Sequence, residues 1–254
     1  MKLTILGSGT SVPHHARATP SHFLETKSGT FLLDAGADAA HRMAEEGFDW
    51  PNLDAIWISH FHLDHMGGLT PFLFGTKWAP QTQSRTKPLK IFGPRGLRNL
   101  VETVSSSSNY ELLKQPFDVE IVEVGPDEDF TPFPGIAATT MKTPHTDESL
   151  ALRLKDDESK LFVYTSDTGF SEDFGQFAKQ ANLLLMECSF RRNKPVAKHL
   201  ELADAMRLAH QCAPAKLVLT HLYREWDGID LAAEARTLWS GETIEAKDGL
   251  KVEI

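Results

Sequence analysis

Six consecutive residues, His60-Phe61-His62-Leu63-Asp64-His65, bring three imidazoles and a carboxylate into one short segment. Neutral imidazole is an available metal ligand near pH 7. Asp adds a hard oxygen donor, and a mixed N/O set of this kind suits zinc, manganese or iron. The six residues follow an apolar run, Leu53-Asp54-Ala55-Ile56-Trp57-Ile58-Ser59, that reads as a strand. Alternation along an extended chain puts His60 and His62 on one side, and a tight turn after them swings Asp64 and His65 to a neighbouring point. One segment can therefore serve two metals about 3.5–4 Å apart, the spacing used by two-metal hydrolytic sites.

Elements able to position these groups alternate along the chain. Residues 2–6 are predicted as a strand ending at Gly7-Ser8-Gly9-Thr10, and 21–26 with 30–34 as a hairpin about Lys27-Ser28-Gly29. Residues 38–46 form a short amphipathic helix closed by Gly47. Strand 55–59 delivers the histidine motif. A strand at 89–92 leads through Gly93-Pro94-Arg95-Gly96 into a helix that ends near Val104. In the second half, strands are expected near 118–122, 136–142, 150–154, 161–165, 183–186 and 217–220. Helices are expected at 172–179, 200–211 and 231–239, followed by a terminal hairpin. Strands followed by helices, twice over, suggest two mixed sheets between helical layers.

In this setting the His-x-His-x-Asp-His pattern resembles the signature of the metallo-β-lactamase superfamily, and the resemblance covers nearly the whole chain. It implies an α/β fold: an αββα four-layer sandwich of two mixed β-sheets flanked by helices, built by residues 1–254 as a single hydrolase domain. It also implies a later His, a bridging carboxylate and a final His, each just after a strand. The chain supplies His145 in Thr143-Pro144-His145, Asp167 in Ser166-Asp167-Thr168-Gly169, and His221 in Leu219-Thr220-His221. By that resemblance His60, His62 and His145 hold one divalent metal, Asp64, His65 and His221 hold a second, and Asp167 bridges them. Zinc is the first expectation, with manganese or iron as alternatives. Taken singly, each of the three later residues also reads as an ordinary loop residue, and Asp before Thr-Gly is a frequent turn former. Their order and their common place at strand ends favour the metal reading.

Three features resemble ribonuclease Z and its relatives: the opening Ile5-Leu6-Gly7-Ser8-Gly9-Thr10-Ser11-Val12-Pro13, Glu187 in Met186-Glu187-Cys188-Ser189-Phe190, and His199, twelve residues later, at the opening of a helix. The resemblance implies a phosphodiesterase in which a hydroxide bridging two metals attacks phosphorus. Asp64 orients it, and His199, held by Glu187, protonates the leaving oxygen. Two basic stretches suit phosphate. Lys77, Arg85, Lys87, Lys90, Arg95 and Arg98 occur without an intervening Asp or Glu, and Arg191, Arg192, Lys194 and Lys198 precede His199. The alternative is that both are solvated basic faces. The chain departs from the RNA-processing members in one respect. Their protruding arm between the third His and the bridging Asp has no room here, because His145 and Asp167 are only 22 residues apart. The expected partner is a phosphodiester, either a small molecule such as a cyclic nucleotide or cyclic phosphate, or RNA. An ester, lactone or sulfate-ester hydrolase of the same fold is the rival reading. A non-catalytic binding module would be expected to have lost ligands, and all seven positions are filled.

Bulk properties agree with a globular enzyme. The 254 residues are 41% hydrophobic and 24% charged, and the formal charge of −9 argues against a generally basic nucleic-acid coat. No apolar stretch approaches a membrane span, and the N-terminus lacks a signal-peptide pattern, so no membrane partner is expected. With only Cys188 and Cys212 the chain is not disulfide-scaffolded, so the cytoplasm is the expected compartment; both are expected as buried thiols, with Cys188 as a metal ligand the weaker alternative. Because family members often form homodimers, the resemblance implies one here. His14, His15 and Arg17 fall in the loop after the first strand, at the cleft border or simply in the loop. His22, His41 and His210 read as structural or exposed, and Tyr223 and Trp226 as pocket lining or packing.

Overall fold

The computed structural model describes all 254 residues. Its first half supplies strands β1 (Lys2–Gly7), β2 (Ser21–Glu25), β3 (Thr30–Leu33), β4 (Ala55–Trp57), β5 (Leu89–Pro94) and β6 (Val119–Val124). The helices of that half are α1 (Ala39–Glu45), α2 (Leu63–Met66), α3 (Leu69–Trp78) and α4 (Leu97–Ser107). The second half supplies β7 (Asp129–Phe133), β8 (Ile136–Lys142), β9 (Leu150–Asp156), β10 (Leu161–Tyr164), β11 (Leu183–Glu187), β12 (Lys216–Thr220) and β13 (Glu242–Glu245), with α5 (Phe174–Phe177), α6 (Leu202–Cys212) and α7 (Leu231–Arg236). The last strand, β14 (Lys251–Glu253), returns to the first sheet.

The two sheets have orders β14-β1-β2-β3-β4-β5-β6 and β13-β12-β11-β10-β9-β8-β7. In each, one half is antiparallel and the other parallel: β3 to β6 run parallel in the first, β10 to β13 in the second. Inner parallel strands such as β11, with Leu183-Leu184-Leu185-Met186, read as continuous apolar runs because both their faces are covered. Leu3, Ile5, Leu24, Phe31 and Leu33 of one sheet pack with Leu152, Leu154, Phe162, Leu183 and Leu185 of the other. The opposite face of the first sheet packs with Met43, Leu69, Leu73, Leu97 and Val101 from its helices. That of the second sheet packs with Ala205, Met206, Leu208 and Leu231. Each fully buried Leu or Ile contributes roughly 1.5–3 kcal/mol relative to exposure. The four-layer αββα sandwich expected from the motif is the architecture found.

Several local expectations are corrected. The terminal residues do not form a hairpin: β13 pairs parallel with β12, and β14 antiparallel with β1. The segment between them instead carries the chain from one sheet to the other. The helices at 63–78 and strand β7 were not expected. The helix expected at 172–179 shortens to Phe174–Phe177, and that expected from 200 begins at Leu202. None of the helices is long and apolar enough to cross a membrane.

Candidate metal centre

The site sits where the C-terminal ends of both sheets' strands converge, the usual crevice of open α/β sheets. Asp34 follows β3, β4 leads to the histidine motif, β8 leads to His145, β10 and β12 lead to Asp167 and His221, and β11 ends at Glu187. The motif is not extended throughout. His60 and His62 precede the single-turn helix α2, which carries Asp64 and His65. Gly68 permits this turn to press against the end of β3, since a Cβ there would lie 2.1 Å from the Gly36 carbonyl oxygen. The contact is fixed by hydrogen bonds from Ala35 N to His65 O (2.7 Å) and from Gly68 N to Ala35 O (2.8 Å). Asp34, Ser166 and His221 all adopt left-handed backbone conformations, with φ of 56°, 54° and 59°. Non-glycine residues in this region each cost roughly 1–3 kcal/mol, and such strain clusters where function over-determines the backbone.

All seven sequence-predicted donors come together. His60, His62, His145 and Asp167 form one group, and Asp64, His65 and His221 another, with the ligand atoms of each group within 4.8 Å of one another. Asp167 faces both. Its Oδ2 lies 3.9 Å from His60 Nε2 and 3.7 Å from His145 Nε2, while its Oδ1 lies 3.3 Å from both His65 Nε2 and His221 Nε2. Asp64 Oδ2 is 3.5 Å from His221 Nε2.

The hydrogen bonds behind the imidazoles fix which nitrogen each presents. His65 Nδ1 donates to Asp34 Oδ2 (2.7 Å), His60 Nδ1 to Ser59 Oγ (3.0 Å), His145 Nδ1 to the Lys198 carbonyl (2.9 Å) and His221 Nδ1 to Ser189 Oγ (2.9 Å). These donor assignments follow from the acceptors available. Four of the five imidazoles thereby turn Nε2 lone pairs toward the centre, the arrangement that outer partners give metal-binding histidines. His60 Nε2, His65 Nε2, His221 Nε2 and Asp167 Oδ1 are buried without any hydrogen-bond partner. Buried polar atoms are rarely left unpaired, and four of them converging here fit divalent cations. The electrostatics agree. Burial alone would depress His65, yet Asp167 and Asp34 raise its pKa well above the imidazole range. Burial alone would raise Asp167, yet His221 and His65 hold it well below the carboxylate range. The cluster demands positive charge, which divalent cations supply.

Asp34 was not identified from sequence. It accepts from His65, from Tyr164 Oη (2.7 Å), from Ser59 Oγ (2.8 Å) and from Ser59 N (2.7 Å). Ser166 Oγ completes this network by donating to Ser59 Oγ (2.6 Å). The available signal was an acidic residue closing the apolar strand Thr30-Phe31-Leu32-Leu33.

Glu187 and His199 are paired beside the cluster, with His199 Nδ1 2.9 Å from Glu187 Oε1. Burial opposes protonation of His199, but the hydrogen bond and charge of Glu187 prevail and raise its pKa to about 8. Phe190 stacks on Tyr223, with ring centroids 5.0 Å apart, next to His199 and His221. Trp226 is buried and donates its Nε1 to the Cys188 carbonyl, a packing role, and both cysteines are buried thiols. His14 binds Asp227 and Arg17 binds Glu245, which ties the loop after β1 to the other side of the cleft.

Five of the six basic residues of the first stretch have partners elsewhere, Lys90 being the exception. Lys77 pairs with Glu111, Lys87 with Asp54, Arg95 with Glu128 and Arg98 with Glu102. Arg85 is buried against four backbone carbonyls. Of the second stretch, Arg191 pairs with Glu234 and Lys194 with Asp204. Arg192 and Lys198 are exposed.

A family model described as "Anti-Pycsar protein Apyc1" matches residues 1–240. The chain is 27% identical to the probable metallo-hydrolase YhfI of Bacillus subtilis (strain 168), with 98% of each covered. It is 26% identical to ribonuclease Z of Geobacillus kaustophilus (strain HTA426), with 94% of each covered. The crystal structure of YhfI, a metallo-β-lactamase fold protein, superposes with a TM-score of 0.83 at 26% identity, covering 100% of this chain and 98% of that one. Human tRNase Z, short form (ELAC1), gives 0.81 at 20% identity over 100% and 99% of the two chains.

Proposed function

The chain belongs to the Anti-Pycsar protein Apyc1 family and is a metal-dependent hydrolase of the metallo-β-lactamase fold; from that premise we propose that it is a two-metal phosphodiesterase acting on a small phosphodiester of the cyclic-nucleotide or cyclic-phosphate kind. The observation that carries this reading is the His199–Glu187 pair placed against the ligand cluster. A buried carboxylate fixing an imidazole beside two ligand groups is suited to protonating a poor leaving group such as an alkoxide. Ester or lactone cleavage needs such an acid less.

In this reading His60, His62 and His145 with Asp167 Oδ2 hold one divalent cation, and Asp64, His65 and His221 with Asp167 Oδ1 hold the other. Once bound, the pair supplies Lewis acidity that activates water near neutral pH and neutralises charge on the phosphoryl oxygens. Asp64 is kept ionised by His221 and His65 against the effect of burial and is an acceptor able to orient the attacking water. His199 spends Nδ1 on Glu187, so Nε2 is the atom that delivers a proton to the leaving oxygen. Exposed Lys198, next to His199 in the chain, and Arg192 are cations free to meet the phosphate. The preference for a small diester rests on the segment between His145 and Asp167, which is occupied by the β9–β10 hairpin alone.

The test is turnover by zinc- or manganese-loaded protein of bis(p-nitrophenyl) phosphate, a 3′,5′-cyclic nucleotide and a transfer RNA precursor with a 3′ trailer. The small diesters are expected to be cleaved and the precursor spared. Cleavage of the precursor in preference to them, or faster turnover of p-nitrophenyl acetate or p-nitrophenyl sulfate, would overturn the proposal.

A further inference from the structure

Ser189 lies two residues past the end of β11, fully buried, where the parallel β11–β12 pairing sets it beside His221. Its hydroxyl lies 2.6 Å from Glu187 Oε2, 2.9 Å from His221 Nδ1 and 3.3 Å from His199 Nδ1. One hydroxyl has one proton and can accept through its lone pairs. The Ser189 hydroxyl donates its proton to Glu187 Oε2. His221 Nδ1 must then be the donor to Ser189 Oγ, which leaves the His221 Nε2 lone pair aimed between Asp64 and Asp167. Glu187 meanwhile takes His199 Nδ1 and Thr168 N on Oε1, and Leu200 N on Oε2. One carboxylate therefore reaches the acid His199 directly, the ligand His221 through Ser189, and the segment carrying Asp167 through Thr168.

We propose that Ser189 is a positioning residue that holds His221 in its Nδ1–H tautomer and ties it to Glu187, so that one carboxylate sets both a ligand of the second metal and the acid His199. The inference rests on the two-metal reading above, but not on the identity of the substrate. Ser189 touches neither metal nor substrate and acts through His221.

The experiment compares wild type, Ser189→Ala and Ser189→Thr as zinc-loaded proteins. Zinc affinity is read by competition with a chromogenic chelator, and the His221 tautomer by long-range imidazole nitrogen NMR. Loss of an outer hydrogen bond to a metal-bound histidine typically weakens metal binding about 10–100-fold. Ser189→Ala is expected to weaken one of the two zinc equivalents by that factor and to scramble the His221 nitrogen pattern, while Ser189→Thr, which keeps the hydroxyl, restores both. A double-mutant cycle with Glu187→Gln covers the case in which threonine is too bulky for the buried site. The two substitutions are expected to be non-additive in zinc affinity, because they interrupt one chain of hydrogen bonds. Wild-type affinity and tautomer in Ser189→Ala, or additivity in the cycle, would overturn the proposal. A wild-type protein that binds two zincs and cleaves no diester would instead overturn the substrate reading and leave this relay standing.

Discussion

Replacing Asp34 by Asn should loosen the second metal and the fold together. Asn tolerates a left-handed backbone as Asp does, so the φ of 56° adds no new strain and the effect isolates the hydrogen bonds. The carboxylate takes Ser59 N on Oδ1 and three donors on Oδ2, from His65, Tyr164 and Ser59. An amide has one oxygen. If it faces the three donors, the amide nitrogen meets the Ser59 N–H, donor to donor. If it faces Ser59 N, His65 Nδ1 loses its acceptor. Leaving one buried donor unmet costs about 1–3 kcal/mol, and the remaining bonds lose the strength of a charged acceptor. The sum is a destabilisation of about 2–4 kcal/mol, and a zinc affinity at one site weakened about 10–100-fold. Urea denaturation and chelator competition measure the two. Wild-type values for both would refute the assignment of Asp34 as the group that holds His65.

Three other outcomes follow from the same geometry. His199→Ala is expected to retain both metals by elemental analysis and to slow diesters with alkoxide leaving groups about 10²–10⁴-fold, while p-nitrophenolate leaves with much smaller loss; equal loss on both would remove the acid role. Arg85→Met should cost about 3–5 kcal/mol in urea denaturation, because four backbone carbonyls within 2.9 Å lose their donor, with KM unchanged; a raised KM would return Arg85 to the phosphate. His22 is fully buried, and burial, with His65 and His221 nearby, lowers its pKa to about 3. The folded state refuses a proton that the unfolded chain takes up below about pH 6.5, so this contribution to stability is whole above that pH and falls by up to about 1.4 kcal/mol per unit as pH drops toward 3. His22→Leu should therefore flatten the acid limb of the stability profile relative to wild type, and an unchanged limb would contradict the assignment.

The donors that meet in the cluster were legible because they follow apolar strands, directly or, for Asp64 and His65, through the short turn after His62. The His60–His65 segment stood out by composition alone, whereas His145, Asp167 and His221 were picked out by the superfamily resemblance, which asks for them in that order after strands. What lay outside the reading is what distance in sequence hides. Asp34 reaches Tyr164 across 130 positions, and no local pattern joins them. The basic stretch from Lys77 to Arg98 looked like a phosphate surface because its partners, Glu111, Glu128 and Asp54, lie beyond the interval or are brought back by the fold. The terminal strands misled for a related reason: two strands close in sequence suggest a hairpin, but the open edges of two sheets offered β13 and β14 separate partners. Ser189 reads as a small residue between a Cys and a Phe until β11 and β12 are laid side by side.

The central claim is a pair of cations joined through Asp167, and metal stoichiometry tests it most directly. Protein purified without chelators, analysed by plasma mass spectrometry beside its Asp167→Ala variant, should carry two equivalents of divalent metal per chain, and the variant should lose affinity for both. One equivalent in the wild type, or two tightly held equivalents in the variant, would contradict it.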